Sequence, residues 1–128
     1  MPYLGQVMSE SSIDLCTKEL VIVRVSQLNN CRYCLAAHRP VAIEAGVPDE
    51  QLAAVCEDTS LETLPPRERA IIDWVDRQTL DPGGIDEELL AAVLVHLRHD
   101  QLIELSVLAG TITMLNQYCT AFQIPAPA

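Results

Sequence analysis

The sequence predicts an all-α fold, a single-domain helical bundle of about six helices, and three observations carry that expectation. Apolar residues make up 49% of the 128 positions but aromatics only 4%, so the apolar mass is mostly Ala, Val, Leu and Ile, which pack helices closely. In the longest patterned segment, Leu102, Leu105, Leu108, Ala109, Ile112 and Leu115 recur at helical spacing. Between such segments stand residues that stop or start helices: Asn29-Asn30, Gly46, Pro48, Pro65-Pro66 and the turn Asp81-Pro82-Gly83-Gly84.

Residues 1–10 read as a loose lead-in. From Ser12 to Leu28 the apolar positions fit no clean strand alternation, and Lys18, Glu19 and Arg24 interrupt a run that is Val-rich enough for a strand on propensity alone. Length and those charges favour a largely buried helix. Asn29-Asn30 ends it and can cap a second helix, from about Cys31 to Ala45, stopped by Gly46 and Pro48. Pro40 lies inside this span and is expected to kink or divide it near residues 36–39. Asp49 starts a short helix over 49–57, residues 58–65 form a loop, and Pro65-Pro66 open a helix over roughly 66–80. Asp86 begins the next, to about Arg98, and Asp100 caps a last helix over about 101–121. No repeat or domain boundary is evident, so residues 1–128 read as one domain, with a core segment over 14–56 and closing helices over 86–121.

Asp and Glu outnumber Lys and Arg by 18 to 8, a formal charge of −10. An acidic chain without a basic cluster disfavours nucleic acid and anionic membranes as partners. The start shows no basic region followed by an apolar run, and the longest apolar stretch, Leu89 to Val95, is too short to span a bilayer. Five cysteines (Cys16, Cys31, Cys34, Cys56 and Cys119) are an odd number in mostly helical contexts. That argues against a secreted disulfide framework and for a cytoplasmic setting. A short, apolar chain also has reason to bury one face against copies of itself.

The chemistry concentrates in Cys31-Arg32-Tyr33-Cys34-Leu35-Ala36-Ala37-His38. At about 100° per residue, Cys31, Cys34 and His38 share one stripe of a helix. The cysteines sit in the first turn, where free N–H groups and the helix dipole favour a thiolate. His38 stands near enough to accept a thiol proton directly or through one water. Such a thiolate can attack a peroxide, become a sulfenic acid and be captured by its neighbour, or exchange with an external dithiol. Glu19, on the border of the apolar stretch Leu20–Val25, can face the same pocket and orient His38. The reading therefore requires two sulfurs, an imidazole and a carboxylate to meet in one crevice. Two blander uses of the cysteines compete with it: packing as small hydrophobes, and a zinc site completed by His38 and Glu19. No second CxxC or HxxxH supports the metal, so no metal or cofactor is expected. His96 and His99 read as surface groups near a helix end, and Cys16, Cys56 and Cys119 as packing residues.

Glu19, eleven residues, then Cys31-x-x-Cys34-x-x-x-His38 resembles the core motif of the AhpD-like alkylhydroperoxidases, within the wider carboxymuconolactone decarboxylase family. The likeness runs from about Asp14 to Cys56, and Leu102 to Ala121 is similar, less specifically, to the family's closing helix. The resemblance implies an all-helical fold assembling into homotrimers or homohexamers, and reduction of small alkyl hydroperoxides by the cysteine pair. It implies Cys34 as the peroxide-attacking thiolate, Cys31 as its resolving partner, and His38 with Glu19 as proton relay. It also implies re-reduction by a lipoyl or thioredoxin-like dithiol. Some members carry histidine just before the second cysteine; here Tyr33 stands there, which can donate a hydrogen bond but is a poor base near neutral pH. A thiol–disulfide oxidoreductase without peroxidase activity, or a non-catalytic redox-sensing oligomer, remains the alternative. The decarboxylase branch proper lacks the CxxC.

Overall fold

A computed structural model describes residues 2–127. Seven α-helices follow in order: α1 Pro2–Met8, α2 Leu15–Leu28, α3 Arg32–Glu44, α4 Asp49–Glu57, α5 Pro66–Leu80, α6 Glu87–Leu94 and α7 His99–Ala121. Two 3-10 turns, Leu61–Thr63 and Pro82–Gly84, lie in the connections, and no strand occurs among the described residues. The fold is all-α as the sequence predicts, with one helix more than expected.

The bundle is built around α2. Ten consecutive residues of it, Thr17 to Ser26, are buried, and it packs against α3, α4, α5 and α7. Asp14 caps it, accepting from the Thr17 N–H at 2.7 Å, and hydrogen bonding by Thr17 holds this carboxyl below the usual range. The helix divides the core in two. Val21, Ile22 and Val25 join Ile71, Val75, Leu105, Leu108 and Ile112 on one side. Leu20 and Val23 join Ala42, Val47, Leu52, Val55 and Ile72 on the other. Removing this much Val, Leu and Ile surface from water, at about 1.5–3 kcal/mol per fully buried side chain, is the main force holding the bundle.

Four local expectations are corrected. The lead-in contains a helix, α1. Its Tyr3 hydroxyl pairs with Thr111 Oγ1 of α7 at 2.8 Å, and Val7 and Met8 pack on the core, so docking rather than propensity orders it. Of the two outcomes expected at Pro40, a kink or a division, the division does not occur: α3 continues through it as one helix. The helix started by Asp86 stops at Leu94, because the chain turns there to send Leu97 into the core at 5% exposure. The last helix starts at His99 rather than after Asp100. Arg98 takes the extended cap position and donates its N–H to Gln101 Oε1 at 3.0 Å, while the Asp100 carboxylate pairs with the Arg98 guanidinium. The bounds of α4 and α5 agree with the sequence reading.

Candidate functional site

The turn between α2 and α3 places the cysteines. Asn30 closes it in the left-handed region (φ 55°), which Asn tolerates better than most residues. The Cys31 N–H then donates to the Ser26 carbonyl at 3.0 Å, pinning the start of α3 to the end of α2. A buried polar chain reinforces the joint: Asn29 Nδ2 donates to Asn116 Oδ1 (3.0 Å), and Asn116 Nδ2 to Ser26 Oγ (3.1 Å). The site is thereby tied to α7 as well.

Cys31 occupies the N-cap of α3, and its sulfur accepts from the Cys34 N–H at 3.3 Å. Cys34 lies in the first turn, as expected, and the two sulfurs are joined in a disulfide with Cα atoms 5.3 Å apart. Both residues are buried, Cys31 at 1% exposure and Cys34 at 6%. One turn beyond Cys34, His38 Nδ1 donates to Glu19 Oε1 at 2.9 Å. The Glu19 side chain is 6% exposed and that of His38 22%. Because a carboxylate only accepts, the bond places hydrogen on Nδ1 and leaves Nε2 as the imidazole's free acid–base atom.

The structure thus joins the predicted residues in two pairs, sulfur with sulfur and imidazole with carboxylate, with Cys34 and His38 on one face of α3. A crevice of about 320 Å³ beside the disulfide is lined by Asn30, Cys31, Arg32, Tyr33, Cys119, Thr120, Gln123 and Ile124; neither His38 nor Glu19 lines it. Tyr33 is half-buried on this Cys31 side.

Cys119 is the residue that the sequence reading placed among packing positions and the structure brings to the site. Its Sγ and those of Cys31 and Cys34 lie within 4.8 Å of one another. Among the described residues this is the cysteine, histidine or carboxylate trio whose ligand atoms converge, not the set with His38 and Glu19 weighed from the sequence. A sulfur committed to a disulfide is not the thiolate that zinc requires, so with the Cys31–Cys34 bond in place the trio is not a zinc ligand set. No pattern linking Cys119 to residues 31–38 exists in the chain, since it lies 85 positions beyond Cys34 and only the packing of α7 on α3 joins them. Of the other cysteines, Cys56 is buried in the core, and Cys16 is half-buried with its thiol raised by burial, then by Asp14 and Glu68. His96 and His99 are exposed, as expected.

The all-helical bundle has an AhpD-like fold, with the CxxC disulfide at a helix start and a carboxylate–imidazole pair behind it. The chain belongs to the carboxymuconolactone decarboxylase family, whose model matches residues 1–77. It is 27% identical over 113 residues to the uncharacterized protein YdfG of Bacillus subtilis, covering 88% of this chain and 77% of that one. Among solved structures, ATU0492 of Agrobacterium tumefaciens, a protein of unknown function linked by name to the antioxidant defence protein AhpD, superposes with a TM-score of 0.89. That match is 20% identical and covers 99% of this chain and 88% of that one. The debrominase Bmp8 in its apo form, at 18% identity, superposes with a TM-score of 0.78, a match that covers 98% of this chain and 66% of that one. These structural likenesses establish the fold. No helix among the described residues is long and apolar enough to cross a membrane.

Proposed function

We propose that this protein is a cysteine-based peroxidase that reduces small alkyl hydroperoxides through the Cys31–Cys34 pair. The observation that carries the proposal is the His38–Glu19 bond one turn behind a disulfide at a helix start. In the reduced protein His38 Nε2 takes the Cys34 thiol proton, and Glu19 stabilises the imidazolium that forms. The Cys34 thiolate attacks the outer peroxide oxygen, the O–O bond breaks, and the departing alkoxide receives the proton from His38 as an alcohol. Cys31 then attacks the Cys34 sulfenic sulfur, water leaves, and the disulfide forms. An external dithiol of the lipoyl or thioredoxin-like class returns both thiols.

Self-association fits the surface. Ile103, Val107, Met114 and Tyr118 of α7 are all exposed apolar residues, between 44% and 64%, and helical spacing puts them within roughly 60° of one another. A stripe of that kind is suited to burial against another copy, as in a homotrimer or homohexamer.

The test is stopped-flow mixing of the reduced protein with cumene hydroperoxide. Stoichiometric consumption is expected, with Cys34→Ser forming no sulfenic acid and Cys31→Ser holding a sulfenate that dimedone labels. The converse labelling would reverse the two roles. Reduction of a model disulfide without hydroperoxide consumption would replace peroxidase activity by thiol–disulfide exchange, a reading favoured by Tyr33 and by the crevice that opens on the Cys31 side.

A further inference from the structure

The oxidised pair poses an access problem. Cys31 and Cys34 are 1% and 6% exposed, yet an external dithiol must bring its own sulfur into line with the S–S bond to break it. Cys119 is a free, half-buried thiol that lines the crevice next to Cys31 and sits within 4.8 Å of both bonded sulfurs. We propose that Cys119 is a third redox cysteine, which takes the disulfide from the buried pair and presents it to the external dithiol in the crevice. This rests on the dithiol-dependent turnover proposed above.

The geometry supports each part. Cys119 lies near the end of α7, and the chain after it, through Gln123 and Ile124, forms the crevice wall, so the sulfur stands at an opening rather than in the core. A rotation about its χ1 moves Sγ between staggered positions without moving the helix. The exposed apolar stripe of α7 leaves this thiol clear, because Cys119 points roughly 130° round the helix from the stripe's centre. Cys16 and Cys56 are not part of the sulfur cluster.

The exchange balances without an added oxidant. The Cys119 thiol gives its proton to water in the crevice, and its thiolate attacks Cys31 Sγ. The Cys31–Cys34 bond breaks, its electron pair leaves on Cys34, and a Cys31–Cys119 bond forms. The released Cys34 thiolate rests in the first turn of α3, where the helix dipole favours it. One thiolate of the external dithiol then attacks Cys119 Sγ and expels Cys31, which takes a proton from water. The second thiol of the reductant closes on the mixed disulfide, freeing Cys119 and leaving as a cyclic disulfide. The two electrons of the dithiol end on Cys31 and Cys34.

Two measurements, both on purified protein without any hydroperoxide, test this independently of peroxidase activity. Reduced Cys34→Ser oxidised with one equivalent of diamide is expected to yield a Cys31–Cys119 linked peptide by mass mapping. The oxidised wild type, quenched with iodoacetamide, is expected to yield the same link with Cys34 alkylated, which covers the case of a variant that folds poorly. In the second measurement, oxidised Cys119→Ser is expected to be reduced by dihydrolipoamide roughly tenfold more slowly than the wild type, because the intramolecular attack is lost; Cys16→Ser is expected to match the wild type. Absence of the Cys31–Cys119 link from both proteins, or reduction of Cys119→Ser at the wild-type rate, would overturn the proposal.

Discussion

Replacing Glu19 by Gln removes one charge from the site and little else. The side chain keeps its length, its burial at 6% exposure and an oxygen within reach of His38 Nδ1. What changes is the kind of hydrogen bond. A bond to a charged group contributes about 1.5–3 kcal/mol and a neutral one about 0.5–1.5, so the substitution costs the imidazolium-forming step about 1–2 kcal/mol. At 1.36 kcal/mol per factor of ten, the first oxidation of Cys34 slows by about 5- to 30-fold. Deleting the base itself in His38→Gln costs more, about 10²- to 10⁴-fold. The assay is single-turnover stopped flow of reduced protein with excess cumene hydroperoxide, with circular dichroism to show that the helices are retained. A Glu19→Gln protein that oxidises as fast as the wild type, while His38→Gln is slow, would refute the reasoning: His38 would then act without its carboxylate.

Three further outcomes follow from the buried charges and thiols. Arg24, 2% exposed, holds Asp76 through two bonds of 2.7 Å, Asp58 at 3.0 Å and the Val55 carbonyl at 3.1 Å. Arg24→Met should lower stability by about 3 kcal/mol, and the melting temperature by about 10 °C, since the two carboxylates regain water but the cross-link is gone; an unchanged melting curve would contradict this. Glu104 is held below the usual carboxylate range by its hydrogen bond from Lys18, then that from Ser11. A depressed folded-state pKa gives stability that is present above the unfolded value of about 4.3 and lost as pH falls through the folded value. The wild type should therefore lose its advantage over Glu104→Gln in denaturant titrations below about pH 4.3, and an advantage that persists in acid would contradict the pairing. The raised Cys16 thiol should alkylate with iodoacetamide at neutral pH more slowly than the same cysteine in unfolded protein, mainly because burial opposes its thiolate.

Much of this was legible in the chain because the signals are local. Pro48 with Asp49 and Pro65 with Pro66 mark where α4 and α5 begin, and their bounds agree with the sequence reading. The spacing of Glu19, Cys31, Cys34 and His38 puts all four on two adjacent helices joined by a tight turn, so their two pairings needed only that turn. Features that depend on distant partners were not legible. Pro2–Met8 has little helical preference of its own, and its order comes from Thr111 and the core. Cys119 resembles any small residue on the inner side of a long helix until α7 is laid across the start of α3. The sequence also could not show that a crevice beside the disulfide is walled by Cys119 and Thr120 of α7 and by Gln123 and Ile124 after it.

The three charges that favoured a helix for α2 in the sequence also explain how it is oriented. A helix buried over ten consecutive residues is apolar on every side, so hydrophobic burial alone barely distinguishes one rotation about its axis from another. Lys18, Glu19 and Arg24 are spaced so that, at about 100° per residue, they leave the axis in three directions roughly 100–140° apart. Each meets a different neighbour. The Lys18 ammonium donates to the Val7 and Ser9 carbonyls behind α1 and pairs with Glu104 of α7. Glu19 takes His38 of α3. Arg24 takes Asp76 of α5 and, at the end of α4, Asp58. A rotation by one residue would leave all three charges buried and unpaired, at several kcal/mol each. The same device that fixes the central helix in rotation therefore points Glu19 at His38, and the geometry of the candidate site follows from the way the core is keyed.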